Sequence, residues 1–84
     1  MTKDKALMIR ERINDGIEQR YKSTAVIADI EEMFKKDFRV HVRPDRFNEG
    51  DSFHQIELIA DIARGFDVHA FAVIVDGTIH VKIF

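Results

Sequence analysis

Asp76-Gly77, set between two runs of β-branched and aromatic residues, restricts the fold of this chain more than any other feature. Asp-Gly suits a two-residue type I′ turn, whose twist matches that of the strands it joins. The flanking runs, about 67–75 and 78–84, then pair with Val75 facing Thr78, Val73 facing His80, Phe71 facing Lys82 and His69 facing Phe84. Side chains alternate across a strand. One face therefore carries Val68, Ala70, Ala72, Ile74, Ile79, Val81 and Ile83, all apolar. The other carries His69, Phe71, Val73, Val75, Thr78, His80, Lys82 and Phe84. A lone hairpin is marginal in water. The apolar face requires helices against it, and its alanines allow them to come close.

The upstream sequence supplies those helices. Ala6, Ile9, Ile13, Ile17 and Tyr21 recur at spacings of three and four, so residues 3–22 read as a helix with Thr2 or Asp4 as its cap. Gly16 is its weak point, and Asn14-Asp15-Gly16 is a rival turn signal. Ser23 or Thr24 caps a second helix to about Lys36, with Val26, Ile27, Ile30, Met33 and Phe34 on its buried side. Glu31–Lys35 and Glu32–Lys36 are spaced as supporting pairs along it. Phe38 to Arg43 alternates as a short strand that Pro44 ends, and a polar loop occupies 44–51. Ser52 and Gln55 have capping-box spacing, and Gly65 stands where a helix ends, so 52–64 reads as a third helix. Ile56, Leu58, Ala60 and Ile62 also alternate, which makes a strand the rival there.

The expected architecture is a single α+β domain over residues 1–84, in the order ααβαββ. It has a three-stranded antiparallel sheet, with the last strand in the middle and the helices packed on one face. The rival order is ααββββ. No internal repeat is visible in the sequence.

Composition narrows the function classes. The absence of Cys removes disulfides, thiolate zinc sites and Cys nucleophiles, and fits a reducing compartment. The segment Met1–Arg12 is charged, without the apolar core of a signal peptide, and the longest apolar run, Ala70–Val75, is too short for a bilayer. A cytoplasmic protein without membrane attachment is expected. The net charge of −2 suits neither a strongly basic nucleic-acid binder nor an acidic DNA mimic.

The second sheet face is the candidate site. If the strand at 38–43 turns its polar side the same way, Arg39, His41 and Arg43 join His69, Phe71, Val73, Val75, His80, Lys82 and Phe84. Such a mixture serves a protein interface. Cations beside aromatic rings on an open sheet also suit single-stranded nucleic acid. The third reading is that the first helix crosses this face and buries it.

Other constellations carry less. The four His residues show no HxxxH or HExxH spacing, and zinc needs three or four converging ligands, so no metal is expected. Asp45, Glu49 and Asp51 lack the spacing and central Gly of a calcium loop, and His54, Glu57 and Asp61 read as a solvated helical stripe. Pro44-Asp45 lacks the acid-x-Lys strand that a PD-(D/E)XK nuclease needs. Asp29, Glu31 and Glu32 would repel phosphate from a helix-turn-helix reader. No hydroxyl has the base and orienter of a nucleophile, and no Gly-rich phosphate loop is present. The expectation is a non-catalytic binding protein without a cofactor. It would act through a protein–protein surface as a homodimer, adaptor or inhibitor. The alternative is a single-stranded nucleic-acid or RNA binder using the same sheet face.

Overall fold

The structure, a computed structural model, describes residues 1–21, 26–44 and 52–84. Thr2 starts helix α1 (Lys3–Tyr21) as the sequence suggests. Its Oγ1 accepts the Lys5 amide at 3.2 Å and its carbonyl accepts the Ala6 amide at 3.0 Å. The first of these satisfies one of the N–H groups that every helix start leaves unpaired, and the second is the first bond of the helix itself. Ala6, Ile9, Ile13 and Ile17 are buried along one stripe. The helix runs unbroken through Asn14-Asp15-Gly16, so the turn signal there is overruled by the apolar stripe that continues through it.

The second expected helix is a correction. Residues Val26–Met33 form strand β1, and Phe34-Lys35-Lys36 is a tight turn into strand β2 (Asp37–Pro44). The order is αββαββ with four strands, not ααβαββ with three. Apolar residues at 26, 27, 30, 33 and 34 satisfy helical spacing, but Ala28 and Ile30 also alternate with Asp29 and Glu31. Partners distant in sequence decide between the two patterns. In the strand Ala28 is buried and Ile30 packs on the core, while Asp29 and Glu31 meet the basic side of β2. The expected caps Ser23 and Thr24 lie outside the described residues, as does the expected loop 44–51 apart from Pro44, which is the last residue of β2.

Helix α2 (Ser52–Gly65) confirms the third helix over its strand rival, although the Ser52 side chain lies outside what is described. Ile59 and Ala63 are buried on its inner side. Its end differs from expectation. Gly65 is the last helical residue, and the left-handed position belongs to Asp67, with φ 57°. The Asp67 amide reaches the Arg64 carbonyl at 3.0 Å and the Val68 amide reaches the Ala63 carbonyl at 3.1 Å. These are the two bonds of a Schellman cap. Val68 packs beside the core, which fixes the exit of the chain toward strand β3 (Ala70–Val75).

Strand β3 returns through Asp76 (φ 50°) and Gly77 (φ 78°) into β4 (Thr78–Ile83), with the register read from the Asp-Gly turn. The antiparallel sheet has the order β1-β2-β4-β3, so the last strand does lie between two others. Each half of the chain is a helix followed by a hairpin. Aligning the strand ends at the two turns matches Asp37 with Thr78 on the inner strands and Met33 with Val75 on the outer ones. The pair His41↔Lys82 then sits at an approximate two-fold axis between the halves. Asp29 and Glu31 on β1 hold the positions that Phe71 and Val73 hold on β3.

The core lies between the helices and one sheet face, where Val40, Val42, Val81 and Ile83 are buried. The helices do not cover that face fully. Ala72 is exposed and Ile74 is 70% exposed although both point to the helix side. The expected full cover fails because the residues assigned to the second helix form an additional strand. Two helices then have four strands to roof, and the far end of β3 is left open.

Candidate functional site

All the residues singled out on the second face of the sheet do share it. Arg39, His41 and Arg43 come from β2, His80 and Lys82 from β4, Phe71, Val73 and Val75 from β3, and His69 and Phe84 from its flanks. The His69 and Phe84 amides each donate to the other's carbonyl, at 3.3 and 3.0 Å, so the ladder extends one pair past β3. Helix α1 packs on the opposite face, against the core.

The sequence reading missed the residue at the centre of the polar half. Glu31 stands opposite Arg39 in the β1–β2 ladder. One of its oxygens accepts from Arg39 Nε at 2.6 Å. The other lies 2.6 Å from His41 Nδ1 and 3.6 Å from Lys82 Nζ. Asp29 in turn accepts from Arg43 at 2.7 Å. The signal was present in the sequence. Acids at 29 and 31 alternate in the same period as bases at 39, 41 and 43, as cross-strand partners should. Reading the acids as the outer side of a helix hid it.

Geometry limits where the protons can sit. The carboxylate can only accept, so His41 Nδ1 carries a hydrogen, and in the neutral imidazole its Nε2 then has the lone pair. His80 Nδ1 lies 2.7 Å from that Nε2 and is therefore the donor. The result is a chain from His80 through His41 to Glu31. Partial burial pushes the Glu31 carboxyl up. The hydrogen bonds from Arg39 and His41 and the charges of Lys82 and Arg39 outweigh it, and the group lies below its ordinary value. Burial pushes His41 down, Glu31 opposes that, and the nearby Lys82 and His80 help to leave the imidazole below its ordinary value. Its neutral form is therefore favoured within a strongly polar cluster.

The apolar half continues the same surface. Phe71 and Phe84 meet edge to face at 5.9 Å, and the Arg39 guanidinium lies 5.7 Å from the Phe84 ring centre. Phe71 is 53% exposed, Phe84 49% and Val75 41%. The face thus divides into a charge network with its partners in place and a patch of rings and Val side chains open to solvent.

A shallow groove of about 510 Å³ runs past β1, lined by Arg10, Asp29, Ile30, Glu31, His41 and Arg43. Its carboxylates are already engaged by Arg39, Arg43 and His41. His41 and His80 meet, but among the described residues no three His, Asp or Glu side chains are arranged to hold a metal ion. No helix of the described chain is long and apolar enough to cross a membrane. Comparison with known protein families, with curated proteins and with solved structures finds no match to this chain.

Proposed function

We propose that this chain is a small non-catalytic binding protein that acts through a protein–protein surface at the β3 end of the open sheet face. The exposure of Phe71, Val75 and Phe84 on one sheet face carries the reading. Large apolar side chains grouped on one face of a soluble domain mark a contact surface more often than idle area. The neighbouring cluster supports the non-catalytic part. Glu31 is occupied by three cationic or donor groups, and the hydrogen-bonded chain begins at His80 with no described nucleophile bonded to it. The nucleic-acid alternative is the weaker reading, because Arg39, Arg43 and Lys82 are already paired with carboxylates and are less available to phosphate.

A contact surface and a structural core respond oppositely to polar substitution. The double variant Phe71→Ser, Phe84→Ser should keep its stability to within about 1 kcal/mol, the scale of the lost ring pair. It should also reduce attraction between molecules in static light scattering. A fall in stability of more than about 3 kcal/mol, the scale of a core Phe deletion, would place the rings among structural residues and overturn the reading.

A further inference from the structure

We infer that β3 is a pairing edge for a second copy of this chain, whose own β3 adds antiparallel to it about a two-fold axis, making one continuous eight-stranded sheet from two four-stranded ones. The inference goes beyond the binding reading above, because it concerns the edge of β3 rather than the open face beside it.

The two edges of the sheet are treated unequally. On β1, the Asn14 side chain reaches from α1 to the Ala28 backbone, accepting its N–H at 3.1 Å and donating to its carbonyl at 3.4 Å. That edge also carries Asp29, Glu31 and Glu32, so two copies paired there would set carboxylates against one another. Strand β3, Ala-Phe-Ala-Val-Ile-Val, has no charge and no Pro, and its register with β4 runs from Ala70 to Val75 without a bulge. None of the usual devices that blunt an edge is present on it.

The ladder shows which groups are on offer. His69 and Phe84 exchange both their hydrogen bonds. Antiparallel pairs alternate, so Phe71, Val73 and Val75 bond inward to β4 while Ala70, Ala72 and Ile74 turn their N–H and carbonyl groups outward. Among the described residues no side chain bonds to those outward groups.

The strand is complementary to itself. A two-fold axis perpendicular to the sheet and midway between the two Ala72 residues sets Ala72 opposite Ala72, Ala70 opposite Ile74 and Phe71 opposite Val73 of the second copy. The small Ala70 meets the large Ile74, and no charge meets another. The same operation keeps helix side with helix side. Ile74, 70% exposed on its own helix side, comes to lie over the second copy's Ala70, which packs against the core. The second molecule supplies the cover that α1 and α2 do not.

The test is sedimentation equilibrium over a concentration series, with the full chain and three variants. Wild type should pass from monomer to dimer as concentration rises. Ala72→Pro removes only an outward N–H, which an edge strand tolerates, and should stay monomeric with an unchanged far-UV spectrum. Ile74→Lys should do the same without restricting the backbone, and decides the matter if Ala72→Pro fails to fold. The chain has no Cys. Ala72→Cys should therefore yield a disulfide-linked dimer under mild oxidation, since opposed α-carbons in such a pair stand about 5.5 Å apart. Glu57→Cys, on the exposed side of α2, should not. A wild-type dimer that survives both Ala72→Pro and Ile74→Lys but is lost in Val73→Glu would overturn edge pairing and leave the binding face standing as a face-to-face contact. A wild type that is monomeric throughout would also overturn the pairing. The binding reading would then be judged by the Phe71 and Phe84 variant alone.

Discussion

His41 Nε2 and His80 Nδ1 face each other at 2.7 Å, and the carboxylate of Glu31 determines which of the two carries the hydrogen between them. The partial burial of His41 in this arrangement has a consequence for stability. His41 has a lowered value in the folded protein, so between its ordinary value of 6.5 and the folded one the unfolded chain binds more protons. Stability is therefore complete above about pH 7 and declines as pH falls through the region below the ordinary His value. Glu31, also lowered, adds a second decline in the same direction below 4.5. Urea midpoints of wild type should fall from about pH 7 to pH 5, and those of His41→Asn should fall less over that interval. Equal slopes would remove His41 from the explanation.

Glu31 is the common acceptor for Arg39, His41 and Lys82. Glu31→Gln keeps the shape and removes the charge. The expected loss is about 1–2 kcal/mol, since hydrogen bonds to a charged partner are worth more than neutral ones but this cluster is partly open to water. Loss of 1–2 kcal/mol with an unchanged urea slope would place the effect on the native contacts. No change at all would mean that the three donors are satisfied as well by water.

Gly16 sits where α1 meets α2, and a methyl group added there would lie 3.5 Å from Ile62 Cδ1 and 3.7 Å from Leu58 Cδ2. Both are ordinary contact distances. Gly16→Ala should therefore stabilise the protein by about 0.5–1 kcal/mol through helix propensity. A lower thermal midpoint in the variant would show that the added methyl group crowds Ile62 or Leu58 despite these distances.

Asp67 and Gly77 occupy the same left-handed region with opposite suitability, at φ 57° and 78°. Asp67→Gly should raise stability by up to about 1 kcal/mol by relieving the Cβ contact. Gly77→Val should lower it by about 1–2 kcal/mol. The two variants together form a control: an effect of the same sign in both would contradict the backbone argument.

Local chemistry made some elements readable and tertiary partners decided the rest. The β3–β4 hairpin was legible because Asp76-Gly77 sets both turn type and register, and α1 because Thr2 and a continuous stripe agree. The face carrying Arg39, His41, Phe71, His80 and Phe84 followed from alternation alone. Residues 26–33 were misread because their apolar spacing fits two periods, and the charges that choose between them lie on β2. Asn14 read as a turn former, whereas it serves the backbone of Ala28. The left-handed positions of Lys35, Lys36 and Asp67 had no signature, since none is Gly or Asn. Exposure of Ile74 could not be foreseen without knowing how many strands two helices must roof.

The seam between β2 and β4 has the shortest ladder in the sheet, Val40↔Ile83, His41↔Lys82 and Val42↔Val81, yet it joins the two helix–hairpin halves. Contacts inside each half close over short stretches of chain, while those across the seam and between α1 and α2 must wait for the halves to meet. A polypeptide cut between Pro44 and Ser52 should give two fragments with little structure alone that regain the native spectrum on mixing. By the same logic, two intact molecules at high concentration can trade halves, each completing the other across the seam, without any contact absent from the monomer.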